Sequence, residues 1–553
     1  MANINHSFVA AGLLFITCAT AAADKSVSEH LADAENAMRA GDYAQGVDGY
    51  VAAAAAGAGL ETARQATLTA FNFGFDEQTV KAAGYWAAQA DSADDAHAYA
   101  AIALTRRGDS RAAIERFEQV LTETADAQGV CDLAKAQLTR DTRAEHLDAV
   151  FAKLAGSFRK TPCVLRLAAT GAIAIEDYKR ADKYFDQLDG LGAFDNDTRL
   201  LAVARYVRDD NTDKAFTEEK FRLDDAATVE QQIELAVLNA NADETQNALN
   251  MLLQLQAEHP KDGDVAEALA LAQLQAGETQ ASRETLMGLL TGGSKTANAL
   301  FYLARFAESE RRFDQALRMY SQVDHGDLAV AAQQRAAALL REREGVPAAL
   351  QHIDEFVERH PRYGLPLSVS RASLYSAGEY YDQALALYDD YLQIKPNAEF
   401  AMLARADVLL RSDQLDAALD AFRDTVKRYP DSPTAMNALG YTLADRTRKY
   451  REAEKLIDKA LALEPDNPAI IDSKGWVLFK RGKLKQAREY LEQAWEEFQD
   501  PEVAAHLGEV MWRMGEEDAA RKLLQEAWQR SPGDDTLRDT IERLMENGPA
   551  TRS

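Results

Sequence analysis

The residues of this chain that could carry covalent or metal chemistry are few and badly spaced for it. Gly288 to Thr296 reads Gly-Leu-Leu-Thr-Gly-Gly-Ser-Lys-Thr, close to a loop whose backbone N–H groups cradle phosphate. Such a loop needs its second Gly directly before the Lys and a strand leading into it. Here Ser294 separates Gly293 from Lys295 and the approach is helical in pattern, so the segment reads as a connection between helical units. The nine histidines show no metal-ligand spacing; His352 and His360 fall around the end of one helix, where a solvated imidazole is ordinary. There is no paired-Cys motif, no His-Glu-x-x-His and no Gly-x-Ser-x-Gly elbow. The reading is therefore non-enzymatic, with no cofactor, no metal site and no catalytic residue.

Recognition chemistry is better represented. Asn437, Tyr441, Asp472, Trp476, Phe479, Lys480, Trp512 and Arg513 place rigid apolar rings beside charged or amide tips, which is what a protein-binding groove requires. For Trp476 and Phe479 the competing reading is packing against a neighbouring unit. Between Arg446 and Arg488 there are 12 Lys or Arg against 6 Asp or Glu. Arg448, Lys449 and Arg451 lie in one loop and Arg481, Lys483 and Lys485 in the next, forming a basic edge. It is either a solvated rim or a dock for an acidic partner surface or anionic polymer.

These residues share a face only if the helices carrying them recur, and they do. Gly440, Ala453, Ala460 and Pro465 are followed by Gly475, Ala487 and Ala494, then by Gly508, Ala520, Ala527 and Pro532. The unit is close to 34 residues, the tetratricopeptide repeat (TPR) period. The first small residue lets the first helix of a pair cross its second closely, the next Ala sits on the second helix at that crossing, and the third admits the following pair. Large residues between them, such as Leu443, Leu456, Leu478 and Leu491, fill the remaining volume at helical spacing. Pro then ends the second helix. Upstream, Ala406 with Ala418, Ala372 with Ala384, Ala337 with Ala349, Ala304 with Ala316, Ala236 with Ala248, Ala169 with Ala181 and Ala101 with Ala113 keep the twelve-residue step. The stretch 195–226 obeys it badly, and Gln128 to Lys160 keeps two helices without the small residues. The spacing predicts an all-α TPR-like α-solenoid superhelix of about fifteen helical hairpins, closed by a C-terminal capping helix. Residues 24–293 form a degenerate N-terminal series and 294–548 the regular TPR array, with 549–553 a disordered tail.

The segments Gly440-Tyr441-Thr442-Leu443-Ala444-Asp445-Arg446, Ala453-Glu454-Lys455-Leu456-Ile457 and Asp472-Ser473-Lys474-Gly475-Trp476-Val477 resemble a family of exported proteobacterial TPR proteins. Its best-known type is the outer-membrane lipoprotein adaptor of a carboxy-terminal processing protease. The resemblance covers about 430–530. It implies a scaffold that brings a periplasmic serine protease to a peptidoglycan hydrolase substrate; the alternative is an assembly factor for an outer-membrane or secretion complex. TPR grooves that clamp a C-terminal carboxylate use Lys and Asn at these positions; Asp472 and Tyr441 depart from that pattern.

A net charge of -27 disfavours nucleic acid, which needs a basic footprint, and anionic membrane. Phe8 to Ala23 is apolar, short for a bilayer span and ends in small residues, so 1–23 reads as a signal peptide despite lacking Lys or Arg before it. The expected location is periplasmic. Cys18 would anchor the chain to the outer membrane if lipidated, although Ile16 and Thr17 are bulky for a lipobox. Cys131 and Cys163 then remain, either as a disulfide or as two buried thiols.

Overall fold

The computed structural model describes residues 25–90, 93–138 and 142–545; the signal segment with Cys18 and the tail from 546 lie outside them. Among the described residues there are thirty-one α-helices, two short 3-10 turns and no strand. The chain divides into two compact units between Ala193 and Phe194.

Within each unit the architecture is an α-solenoid of antiparallel helix pairs. Most helices run 12 to 14 residues, for example Pro433–Arg446 with Tyr450–Leu463, Pro468–Lys480 with Leu484–Glu497, and Pro501–Arg513 with Glu517–Arg530. Asp535–Leu544 closes the array and buries Leu537 and Ile541 against Leu524 and Ala527. The thirty helices before it follow one another as fifteen successive pairs among the described residues, as the spacing predicts, and fourteen of those pairs pack as hairpins.

The small residues sit where two helices nearly touch. Ala304, Ala316, Ala372, Ala384, Ala406, Ala418, Ala453, Ala487 and Ala520 are fully buried. A Cβ on Gly475 would lie 2.5 Å from Leu491 Cγ and 3.1 Å from the Ala487 carbonyl; one on Gly440 would lie 2.7 Å from Ile457 Cγ1. That closeness is the reason the first helix carries Gly there.

A second periodic device shapes the turn inside most hairpins. One residue after the first helix takes a left-handed conformation, which satisfies the last carbonyls of that helix. It is Gly at Gly108, Gly482 and Gly515, but Glu176, Asp210, Asp243, Arg311, Glu379 and Asp413 occupy the same step with φ between 52° and 63°. A non-Gly residue there carries roughly 1 kcal/mol of strain. The turn series reaches back to Gly41 and Gly74, further than the small-residue pattern holds cleanly.

Two hairpins are irregular, both where the spacing breaks. Ala144–Ser157 packs on Ser110–Glu123 and Pro162–Ala174 rather than on the preceding helix Ala127–Leu138. That preceding helix is instead tied to Pro162–Ala174 by a disulfide, Cys131–Cys163, with Cα atoms 5.9 Å apart. Cys131 is fifth in its helix and Cys163 second in its own, so the two are not equivalent positions, which would sit about 8–10 Å apart. Reducing the bridge, which closes a 32-residue separation, is expected to cost about 3.7 kcal/mol through the entropy of the unfolded chain. A calorimetric melt with and without reductant, repeated on Cys131→Ala/Cys163→Ala, measures it. In the second irregular hairpin, Asn196–Arg208 is followed by only six helical residues, Thr212–Thr217, and a 3-10 turn. Phe221 plugs the gap against Tyr206 at 5.3 Å and Phe194 at 6.4 Å.

Candidate protein-binding groove

The first helices Pro433–Arg446 and Pro468–Lys480 pack side by side, as do Pro468–Lys480 and Pro501–Arg513, and together they form one face of these three hairpins. Its curvature is visible in a single contact. Tyr441, on Pro433–Arg446, donates its hydroxyl to Glu502 at 2.5 Å on Pro501–Arg513, two hairpins away. First helices two units apart meet through their side chains only if that face is the inner one.

The inner face between 437 and 513 is largely occupied by its own side chains. Trp476 is 6% exposed and stacks on His506 of the next hairpin at 4.0 Å and 18°. Phe479 also stacks on Trp476, with ring centroids 5.0 Å apart. The indole Nε1 donates to Asp445 at 3.2 Å, and the same carboxylate pairs with Lys480 at 3.3 Å, whose Nζ lies 4.6 Å from the Trp476 ring. His506 Nδ1 meets both Asp472 oxygens at 3.0 Å, while Nε2 lies 3.4 Å from the Tyr441 hydroxyl. Burial alone would depress the His506 imidazole; the carboxylates of Asp472, Glu502 and Asp445 outweigh it and hold the group above its ordinary value. Burial, then the Glu502 carboxylate, pushes the Tyr441 phenol far above the usual range.

Asp472 and Trp476 are buried and Tyr441, Phe479 and Lys480 are half-buried, because His506 and Glu502 of the following hairpin fill the space a guest would need. Packing against the neighbouring unit is the reading that holds for Trp476 and Phe479. Trp512 turns to its own hairpin, under Arg521 at 5.6 Å, and Arg513 is exposed. Asn437, one turn before Tyr441, is half-buried with Oδ1 shielded from solvent and without a hydrogen-bond partner.

The basic edge divides in two. Arg481 and Lys483 both reach Glu454 on the preceding second helix, Lys483 at 3.6 Å, and buried Lys474 joins them at 3.2 Å. Arg448, Lys449, Arg451 and Lys485 are exposed and make no ion pair among the described residues.

Residues 403–468 match one family model, described as tetratricopeptide repeat, and 447–509 match a second with the same description. The hairpins from 403 to 509 are tetratricopeptide repeats. A TPR repeat-containing protein of Pseudomonas aeruginosa is 42% identical over 246 residues, 44% of this chain and 42% of that protein. The mitochondrial import receptor subunit TOM70 of Homo sapiens is 26% identical over 101 residues, 17% of this chain and 16% of its own length. The chain thus spans less than half the length of these curated relatives. Among solved structures, yeast Tom70 aligns over 94% of this chain and 95% of its own with 13% identity and a TM-score of 0.35, a likeness too loose to reason from.

The sequence selects these positions on the first helix, and between 433 and 513 they are largely filled by neighbouring side chains. It also misses His506, Glu502 and Asp445, which complete the network. A His and a Glu four residues apart on the third first-helix were the available signal: at i, i+4 they share a face. The same positional rule, counted from Ala304, selects Phe301, Arg305, Glu308 and Ser309, and all four line a cavity.

Proposed function

We propose that this chain is a non-enzymatic, exported TPR scaffold that holds a processing protease together with its cell-wall hydrolase substrate. The observation that carries the scaffold reading is the inner face itself. Between 433 and 513 the first helices follow one curve, with Tyr441 bonded to Glu502 two hairpins away, so these hairpins present their contact positions in one series. Such an array collects many weak contacts and serves separate partners on separate stretches. Export is supported by the apolar leader and by the Cys131–Cys163 disulfide, which suits an oxidising compartment. The protease-adaptor role rests on the resemblance over 430–530.

Capture from envelope extracts with the tagged full chain is the test. Recovery of a serine protease with a peptidoglycan hydrolase supports the adaptor. Barrel or secretin subunits instead would point to assembly, and no specific protein would sink the scaffold reading. The docking role of the basic edge has its own readout. The residues to reverse are the uncommitted ones, Arg448, Lys449, Arg451 and Lys485, not Lys480 and Lys483, which already serve Asp445 and Glu454. With all four changed to Glu, affinity for an acidic partner should fall more than tenfold and its dependence on salt should flatten; an unchanged salt slope refutes the dock.

A further inference from the structure

Two neighbouring second helices, Leu415–Arg428 and Tyr450–Leu463, carry opposite charge at matching places. Their fully buried crossing residues, Ala418 and Ala453, set the alignment. Counted from these, Asp416, Asp420 and Asp424 on the first helix stand where Arg451, Lys455 and Lys459 stand on the second. In each helix the three are four residues apart, so they share a face in a row about 12 Å long. All six residues are exposed. Arg423 of the first helix reaches Glu452 of the second at 3.9 Å, so the two helices lie a side chain apart. The same places on the next two second helices mix signs: Lys485, Glu489 and Gln493, then Asp518, Lys522 and Glu526. Single-sign rows side by side are therefore particular to this pair. The charges are also unspent. Arg451, Lys455, Lys459 and Asp416 make no hydrogen bond or ion pair among the described residues. Asp420 and Asp424 meet Arg423 and Arg428 of their own helix at 3.3 Å and 3.1 Å, exposed pairs that contribute little.

An acidic row beside a basic one is complementary to itself. A second copy turned by 180° about an axis between the rows, parallel to the helices and in the plane of contact, lays its acidic row over this basic row and its basic row over this acidic one. The same turn about an axis across the helices sets like charges together and is repulsive. An unrelated acidic surface broad enough to cover both rows would be opposed by Asp416, Asp420 and Asp424; a second copy satisfies both. Two chains of net charge -27 repel at long range, and a contact that sets opposite charges against each other works against that repulsion. We propose that the outer face of Leu415–Arg428 and Tyr450–Leu463 is a contact between two copies of this chain, related by a twofold axis parallel to these helices. One patch used by both subunits is the form a closed dimer takes. The proposal goes beyond the scaffold reading and shares only Arg451 with the docking role of the basic edge.

Sedimentation equilibrium of the full chain at low and high salt tests it. The wild type should form a dimer that dissociates as salt rises. Reversing the basic row, Arg451→Asp with Lys455→Asp and Lys459→Asp, should weaken self-association more than about tenfold. Reversing the acidic row, Asp416→Lys with Asp420→Lys and Asp424→Lys, should do the same. Mixed in equal amounts, the two variants should pair at least as tightly as the wild type, since every facing charge is again opposite. All six residues are exposed, so unchanged thermal melts show that the variants are folded. A wild-type chain that stays monomeric at the highest soluble concentration overturns the proposal, as does self-association that either reversal leaves unchanged, or a mixture that fails to pair. If the wild type is monomeric while reversal of Arg448, Lys449, Arg451 and Lys485 still weakens an acidic envelope partner, the dimer falls and the basic edge keeps its dock. If the mixed variants pair while that reversal leaves every envelope partner unmoved, the dock falls and the dimer stands.

Discussion

Replacing Gly475 by Val should unfold the hairpin it belongs to by about 3 kcal/mol, near the upper end of what overpacking costs. The first carbon of any side chain there meets Leu491 Cγ at 2.5 Å and the Ala487 carbonyl at 3.1 Å. Leu491 is fully buried and the carbonyl belongs to a helix, so neither has space to retreat. Gly475→Ala tests the same contact more gently. Its helix propensity gains up to about 1 kcal/mol, yet the overlap should leave a net loss of about 1 kcal/mol. Gly288 provides the opposite sign within the same unit. It lies in Thr279–Gly292 with nothing within 4 Å of its missing Cβ, so Gly288→Ala should stabilise by up to about 1 kcal/mol. Because each hairpin depends chiefly on its neighbours, hydrogen exchange should show the Gly475 damage concentrated in 468–497. If Gly475→Ala and Gly288→Ala shift stability equally, close approach is not the reason for glycine at the crossing.

His506→Ala should cost about 3–5 kcal/mol, the range for removing one partner of a buried ion pair. Asp472 would be left as a carboxylate 6% exposed with its imidazole partner gone, and Trp476 would lose the ring it stacks on at 4.0 Å. Replacing both partners, Asp472→Leu with His506→Leu, should recover most of that loss, since two apolar groups leave no charge unmet; the double-mutant cycle isolates the pair. The pair also carries a pH signature. The His506 value is raised in the folded chain, so its contribution is fully present below the unfolded value of about 6.5 and is lost as pH rises through the folded one. Urea melts from pH 6 upward should therefore show stability falling in the wild type and a flatter profile in His506→Gln. Tyr441, Asp472, Glu502 and Asp445 face the imidazole, and a slope unchanged in the variant would assign the titration to another group.

How far the fold is legible in the residues varies with how local its cause is. The crossing residues Gly440, Gly475 and Gly508 announce a hairpin because the requirement for a small side chain at a close approach is independent of anything distant. The turn series is equally local, yet harder to read, since Glu176, Asp210, Asp243, Arg311, Glu379 and Asp413 stand where glycine would be expected. The hairpin at 127–157 shows the limit: both helices are evident, but that Ala144–Ser157 packs away from Ala127–Leu138 depends on neighbours on either side.

Period, helical class and the succession of helix pairs were determined by the amino-acid sequence alone, because each follows from side-chain size and helical geometry within about 34 residues. Only the tertiary structure decided where the inner face is filled and where it is open. Trp476 is closed over by His506, which lies thirty residues on, and Tyr441 by Glu502, sixty-one residues on; the equivalent positions around Arg305 border a cavity. Occupancy of a face depends on the reach of side chains from other hairpins, and that reach is set by the curvature of the stack, which no single repeat contains.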